Sequence, residues 1–150
     1  MNVAAVKRYC AAKPGATSHL HVDPWNVLVW SVGGKRFAYF KTSEPERWRF
    51  SVKAPPDRFV ELTGMPGVKP ARFMARFRWI TIVDVAAMEP AFLRELVDAS
   101  YAQALASLTK ARRAAIVGAG PAGADARGDD RAPRQRRTIR TFAARRNRQP

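Results

Sequence analysis

Val27-Leu28-Val29-Trp30-Ser31-Val32-Gly33-Gly34-Lys35-Arg36-Phe37-Ala38-Tyr39-Phe40-Lys41-Thr42 is the stretch that decides the fold. Val27 to Val32 is mostly β-branched or aromatic. Gly33-Gly34 is free to take the positive φ angles of a tight hairpin, and Lys35 to Thr42 returns as a second strand. Downstream, Trp48, Phe50 and Val52 alternate with Arg49, Ser51 and Lys53, which predicts a third strand. Upstream, Asn2 can cap a short helix whose apolar positions Val3, Val6 and Cys10 recur at helical spacing, and Lys13-Pro14-Gly15 ends it. Pro55-Pro56-Asp57 predicts a brief helix over Arg58 to Thr63, followed by a Gly64–Gly67 loop. Pro90 suits the first turn of a longer helix, with Leu93, Leu96, Val97, Tyr101, Ala104, Leu105 and Leu108 as its apolar stripe. Strands in a run flanked by helices, without β-α alternation, predict an α+β domain built on a twisted antiparallel sheet packed by N- and C-terminal helices.

Arg72 to Val83 reads as one or two further strands. Between Arg72 and Trp79 the chain alternates with period two. An extended strand there sets Phe73, Ala75, Phe77 and Trp79 on one face and Arg72, Met74, Arg76 and Arg78 on the other. Phe73, Phe77 and Trp79 are the expected structural aromatic underside. Three guanidinium groups spaced along the upper side suit a polyanion such as a nucleic-acid backbone.

Composition points the same way. The 150 residues are 47% hydrophobic, enough for one core. Lys and Arg outnumber Asp and Glu by 27 to 12, and the excess is +9 over residues 1–118 and +6 over 119–150. This balance favours nucleic acid or anionic surfaces and disfavours cation binding, which needs clustered carboxylates. A single cysteine, Cys10, excludes an internal disulfide and fits a reducing compartment. No signal peptide or membrane span is legible, so the cytoplasm is the expected location. The late Ala/Arg/Gly/Pro-rich composition predicts one domain over residues 1–112 and a disordered basic tail over 113–150.

Other constellations carry less. Gly118-Ala119-Gly120-Pro121-Ala122-Gly123 resembles a dinucleotide phosphate loop, but the helix and acidic strand such a loop requires have no counterpart in Ala124–Pro150. His19, His21 and Asp23, with Cys10 upstream, fall short of a convergent ligand set in a segment read as loop, so no metal or cofactor is expected. Ser31, Ser43, Ser51, Ser100 and Ser107 sit in no nucleophile context, and Asp98 and Tyr101 at i, i+3 suit helix anchoring better than chemistry. An enzyme is not expected.

Tyr9-Cys10-Ala11-Ala12-Lys13-Pro14-Gly15-Ala16, Val32-Gly33-Gly34-Lys35 with Phe37-Ala38, Lys41-Thr42-Ser43, Pro70 to Trp79, and Leu96-Val97-Asp98-Ala99-Ser100-Tyr101 occur in register. In these stretches, over about residues 3–110, the chain resembles the MmcQ/YjbR family. The resemblance implies a small bacterial α+β protein with a winged arrangement, of a kind labelled DNA-binding. Where some members carry Asn-Lys-x-His-Trp, this chain has Ala75-Arg76-Phe77-Arg78-Trp79, which removes an amide and an imidazole and adds a cation.

The expectation is a DNA-binding protein of this type, nonspecific or weakly specific, acting mainly through phosphates. Arg72, Arg76 and Arg78 are the central contacts, and Lys35, Arg36 and Lys41 of the hairpin extend them. The alternative is a non-catalytic interaction module in which an aromatic groove around Trp25, Trp30 and Trp79 takes a small ligand or peptide.

Overall fold

The computed structural model describes residues 1–44 and 49–118. Trp48, the tail from residue 119, and all of the Gly118–Gly123 stretch beyond its first residue lie outside them. The chain runs α1 (Val3–Ala11), β1 (Ala16–His21), β2 (Val27–Val32), β3 (Lys35–Lys41), β4 (Phe50–Lys53), α2 (Phe59–Thr63), β5 (Val68–Pro70), β6 (Trp79–Ile82), α3 (Pro90–Ala106) and α4 (Lys110–Gly118), with 3-10 turns at Ala75–Phe77 and Val85–Ala87. The strands form one sheet in the order β1-β2-β3-β4-β6-β5, and every neighbouring pair is antiparallel. This is the α+β class expected.

The local signals act as read. Asn2 Oδ1 accepts from the Ala5 N–H at 2.9 Å and starts α1. Gly33 and Gly34 take φ of +55° and +80° at the hairpin tip. Register then sorts the faces. Phe40, Phe50, Ile82 and Val68 stand side by side across four strands, with Ala38, Val52 and Ile80 in the next row. All are buried beneath Leu93, Leu96, Val97 and Ala104 of α3 and Val6 and Cys10 of α1. Each large side chain so covered contributes about 1.5–3 kcal/mol.

Three expectations are corrected. Residues 16–21, read as loop around His19 and His21, form strand β1; exposed from Thr17 to His21 at the sheet edge, it carries no apolar alternation. The expected strand from Arg72 to Trp79 is instead the connection between β5 and β6. Those strands pair Val68 with Ile82 and Pro70 with Ile80, so the chain must reverse between them. It closes with the Ala71 N–H on the Trp79 carbonyl at 2.9 Å, and passes through left-handed Phe73 (φ +64°) and Arg78 (φ +62°). Trp79 is buried as expected, but Phe73 and Phe77 are exposed rather than structural, because a reversing chain has no common underside. Finally, the fold runs past residue 112. α4 follows α3, Arg112 donates to the Gly33 carbonyl at 3.0 Å, and Ile116 lies over the turn where Gly15 has φ +69°. A Cβ on Gly15 would stand 2.8 Å from Ile116 Cγ2.

Ser100 joins helix to sheet. Register shifts between Trp30 and Ser31 skip Phe37 in the β2–β3 ladder. Buried Ser100 donates to the Phe37 carbonyl at 2.7 Å and accepts from the Lys53 N–H at 2.9 Å. Ser100→Ala should cost about 2 kcal/mol of stability by leaving both backbone groups without a partner, as urea unfolding would read.

Candidate nucleic-acid interface

The sheet face away from α3 alternates with the core rows. Val29, Tyr39, Ser51 and Thr81 stand side by side on it, and they floor a groove of about 680 Å³. One rim is Trp25, in the β1–β2 connection. The other is the β5–β6 connection, where Ala71, Arg72, Phe73 and Met74 line the space.

The floor is tied down. Ser51 and Thr81 hydroxyls bond each other at 2.7 Å. The Tyr39 ring leans on Trp79 with centroids 4.7 Å apart, and its hydroxyl accepts from Arg36 at 3.0 Å. Lys41 donates to the Trp25 carbonyl at 2.9 Å, which holds the rim loop to β3. The Arg72 guanidinium lies 5.0 Å from the Phe73 ring centroid.

Arg36, Lys41, Arg49 and Arg72 all line the groove with His21, and no carboxylate does so among the described residues. Thus three of the six expected cations, Arg36, Lys41 and Arg72, converge. Lys35 sits at the hairpin tip opposite Val32. Arg76 stacks 4.6 Å over Phe77, and Arg78 takes the left-handed bend; neither lines the groove. Arg49 and His21 were not among the expected contacts. Their signal was strand alternation: Arg49 shares parity with Ser51, and His21 pairs with Val27. The aromatic groove expected around Trp25, Trp30 and Trp79 does not assemble. Trp30, beside Ala38, packs on the core side, and Trp79 is buried under Tyr39.

A second hollow of about 640 Å³ beside the start of α1 is lined by Lys7, Lys41 and Asp84 and has no aromatic wall. His19 and His21 touch edge to face at 4.5 Å, and among the described residues no group of three or more His, Cys, Asp or Glu is placed to hold a metal. No helix among them is long and apolar enough to cross a membrane.

The residues shared with the family stretches at either end of the domain face away from the groove. Tyr9 donates to Asp98 at 2.8 Å, Lys13 pairs with the same carboxylate, and Tyr101 donates to the Pro14 carbonyl at 2.6 Å, so α1 is latched to α3. Partial burial works against the Lys13 ammonium, but the bonds to Asp98 and Tyr9 outweigh it and its pKa is raised. Burial pushes the Cys10 thiol up to about 12 from 9.0, with the Lys13 charge acting against it. The folded thiol should therefore resist thiol reagents until the protein unfolds. Because the folded state holds this proton more tightly, its contribution is intact below about pH 9 and is lost as pH rises toward about 12. Cys10→Ala should flatten that part of the alkaline stability profile, measured by urea unfolding at each pH.

A family model described as YjbR matches residues 11–103. A protein of Escherichia coli (strain K12) named "Uncharacterized protein YjbR" is 32% identical over 119 residues, spanning 78% of this chain and 98% of its own. Deinococcus radiodurans protein DR2400, with domain DUF419, aligns in structure at TM-score 0.68 and 23% identity over 77% of this chain and 88% of its own. A Pseudomonas syringae protein aligns at TM-score 0.57 and 18% identity over 69% of this chain and 99% of its own. At such identities the two structures speak to the fold.

Proposed function

The chain belongs to the YjbR family, and from the character of its open sheet face we propose that it binds DNA, holding phosphates with the cations of the groove. One observation carries the reading: Arg36, Lys41 and Arg72, from two separate parts of the chain, converge on one groove of the open sheet face. Cations gathered on one open face attract a polyanion, and release of its condensed counterions drives association. The role is binding without catalysis, in the cytoplasm, where the lone buried Cys10 stays reduced.

A titration of the full chain against fluorescein-labelled DNA at several salt concentrations tests this. Affinity should fall steeply with salt, with a log-log slope of about 0.7 to 0.9 per phosphate engaged, or about 2 to 3 for Arg36, Lys41 and Arg72. A slope near zero would remove the electrostatic basis of the proposal.

A further inference from the structure

The groove has a feature that phosphate binding does not use. Trp25 is 69% exposed at one rim and Phe73 86% exposed at the other, while Trp79 on the same sheet face is 5% exposed. Phe73 is held out in left-handed backbone at φ +64°, a conformation that bulky side chains rarely adopt. Strain of this kind persists where the surrounding structure imposes it, and it marks binding sites. Here the Ala71–Trp79 closure and the Met74 N–H on the Ala71 carbonyl at 3.2 Å impose it.

Resting on the DNA reading above, we infer that the groove takes single-stranded DNA, stacking its bases on Trp25 and Phe73 while Arg36, Lys41 and Arg72 hold the phosphates between them. Three considerations favour this occupant. In a duplex the base faces are stacked on one another and offer an aromatic side chain nothing to lie against; in a single strand each face is free. A groove of about 680 Å³ is of the size that encloses one drug-sized molecule, which fits a few unpaired nucleotides and not the flank of a double helix. Charge excludes the chain's own residues 119–150 as occupant, since these carry nine arginines against three aspartates.

The test uses the full chain with three labelled probes: dT12, a 12-base-pair mixed-sequence duplex, and rU12. The parent should bind dT12 more tightly than either of the others. Trp25→Ala and Phe73→Ala should each weaken dT12 binding by about 5- to 150-fold, weaken duplex binding by less than about twofold, and leave the salt slope unchanged. Both side chains are exposed, so melting temperatures should stay within about 3 °C of the parent. Phe73→Gly keeps the control honest: glycine takes this φ without strain, so its melting temperature should equal or exceed the parent's while dT12 affinity falls as in Phe73→Ala. Tighter binding of duplex than of dT12, or aromatic variants that bind dT12 like the parent, would overturn the stacking inference and leave DNA binding standing. Tighter binding of rU12 would overturn the choice of DNA. Failure of the parent to bind either DNA probe would overturn the parent reading itself.

Discussion

Trp79→Ala should lower folding stability by about 3 to 5 kcal/mol, the usual cost of removing a buried large aromatic side chain. The indole opens β6 opposite Lys53 and supports the Tyr39 ring at 4.7 Å. Its backbone closes the β5–β6 connection through the Ala71 N–H. Removal would leave a void directly under the groove floor, so the loss combines apolar transfer with an unfilled cavity. Urea unfolding gives the number. A loss below about 1 kcal/mol would mean that Tyr39 and its neighbours collapse into the space, and that the floor is more compliant than its packing indicates.

Arg36→Glu combined with Arg72→Glu should weaken DNA binding at low salt by about a hundred-fold or more, and lower the salt slope by one to two units. Two attractive charges become repulsive at one groove. Both side chains are exposed, so stability should change little. Arg76→Glu with Arg78→Glu is the matched comparison. It reverses two charges in the β5–β6 connection, outside the groove, and should change affinity less than about threefold. Equal effects from the two pairs would show that overall charge drives binding, independent of the groove.

The sequence revealed what local chemistry determines. Gly33-Gly34 announced the hairpin, Asn2 and Lys13-Pro14-Gly15 bounded α1, and Pro90 began α3, because each acts through its own backbone. Strand β1 stayed hidden. Its Ala-Thr-Ser-His-Leu-His pattern reflects an edge position, which depends on where other strands lie. The β5–β6 reversal hid for a different reason: Phe73 and Arg78 take left-handed angles where a reader expects glycine, and the intervening residues happen to alternate as a strand does. The candidate site divides in the same way. Arg36, Lys41 and Arg72 were visible as charges, whereas Arg49 and His21 joined them only through strand order and register. The family stretches carrying Tyr9, Lys13, Asp98 and Tyr101 were legible, and they serve the α1–α3 contact on the opposite side of the sheet.

Left-handed Phe73 sets two selections against each other. A library screened for heat resistance alone would enrich glycine at position 73, because glycine occupies φ +64° without strain. A library screened for retention on a single-stranded column would enrich aromatic rings there and accept the lower melting point. Sequencing both pools would show at this one codon whether the backbone or the bound strand decides what the position keeps.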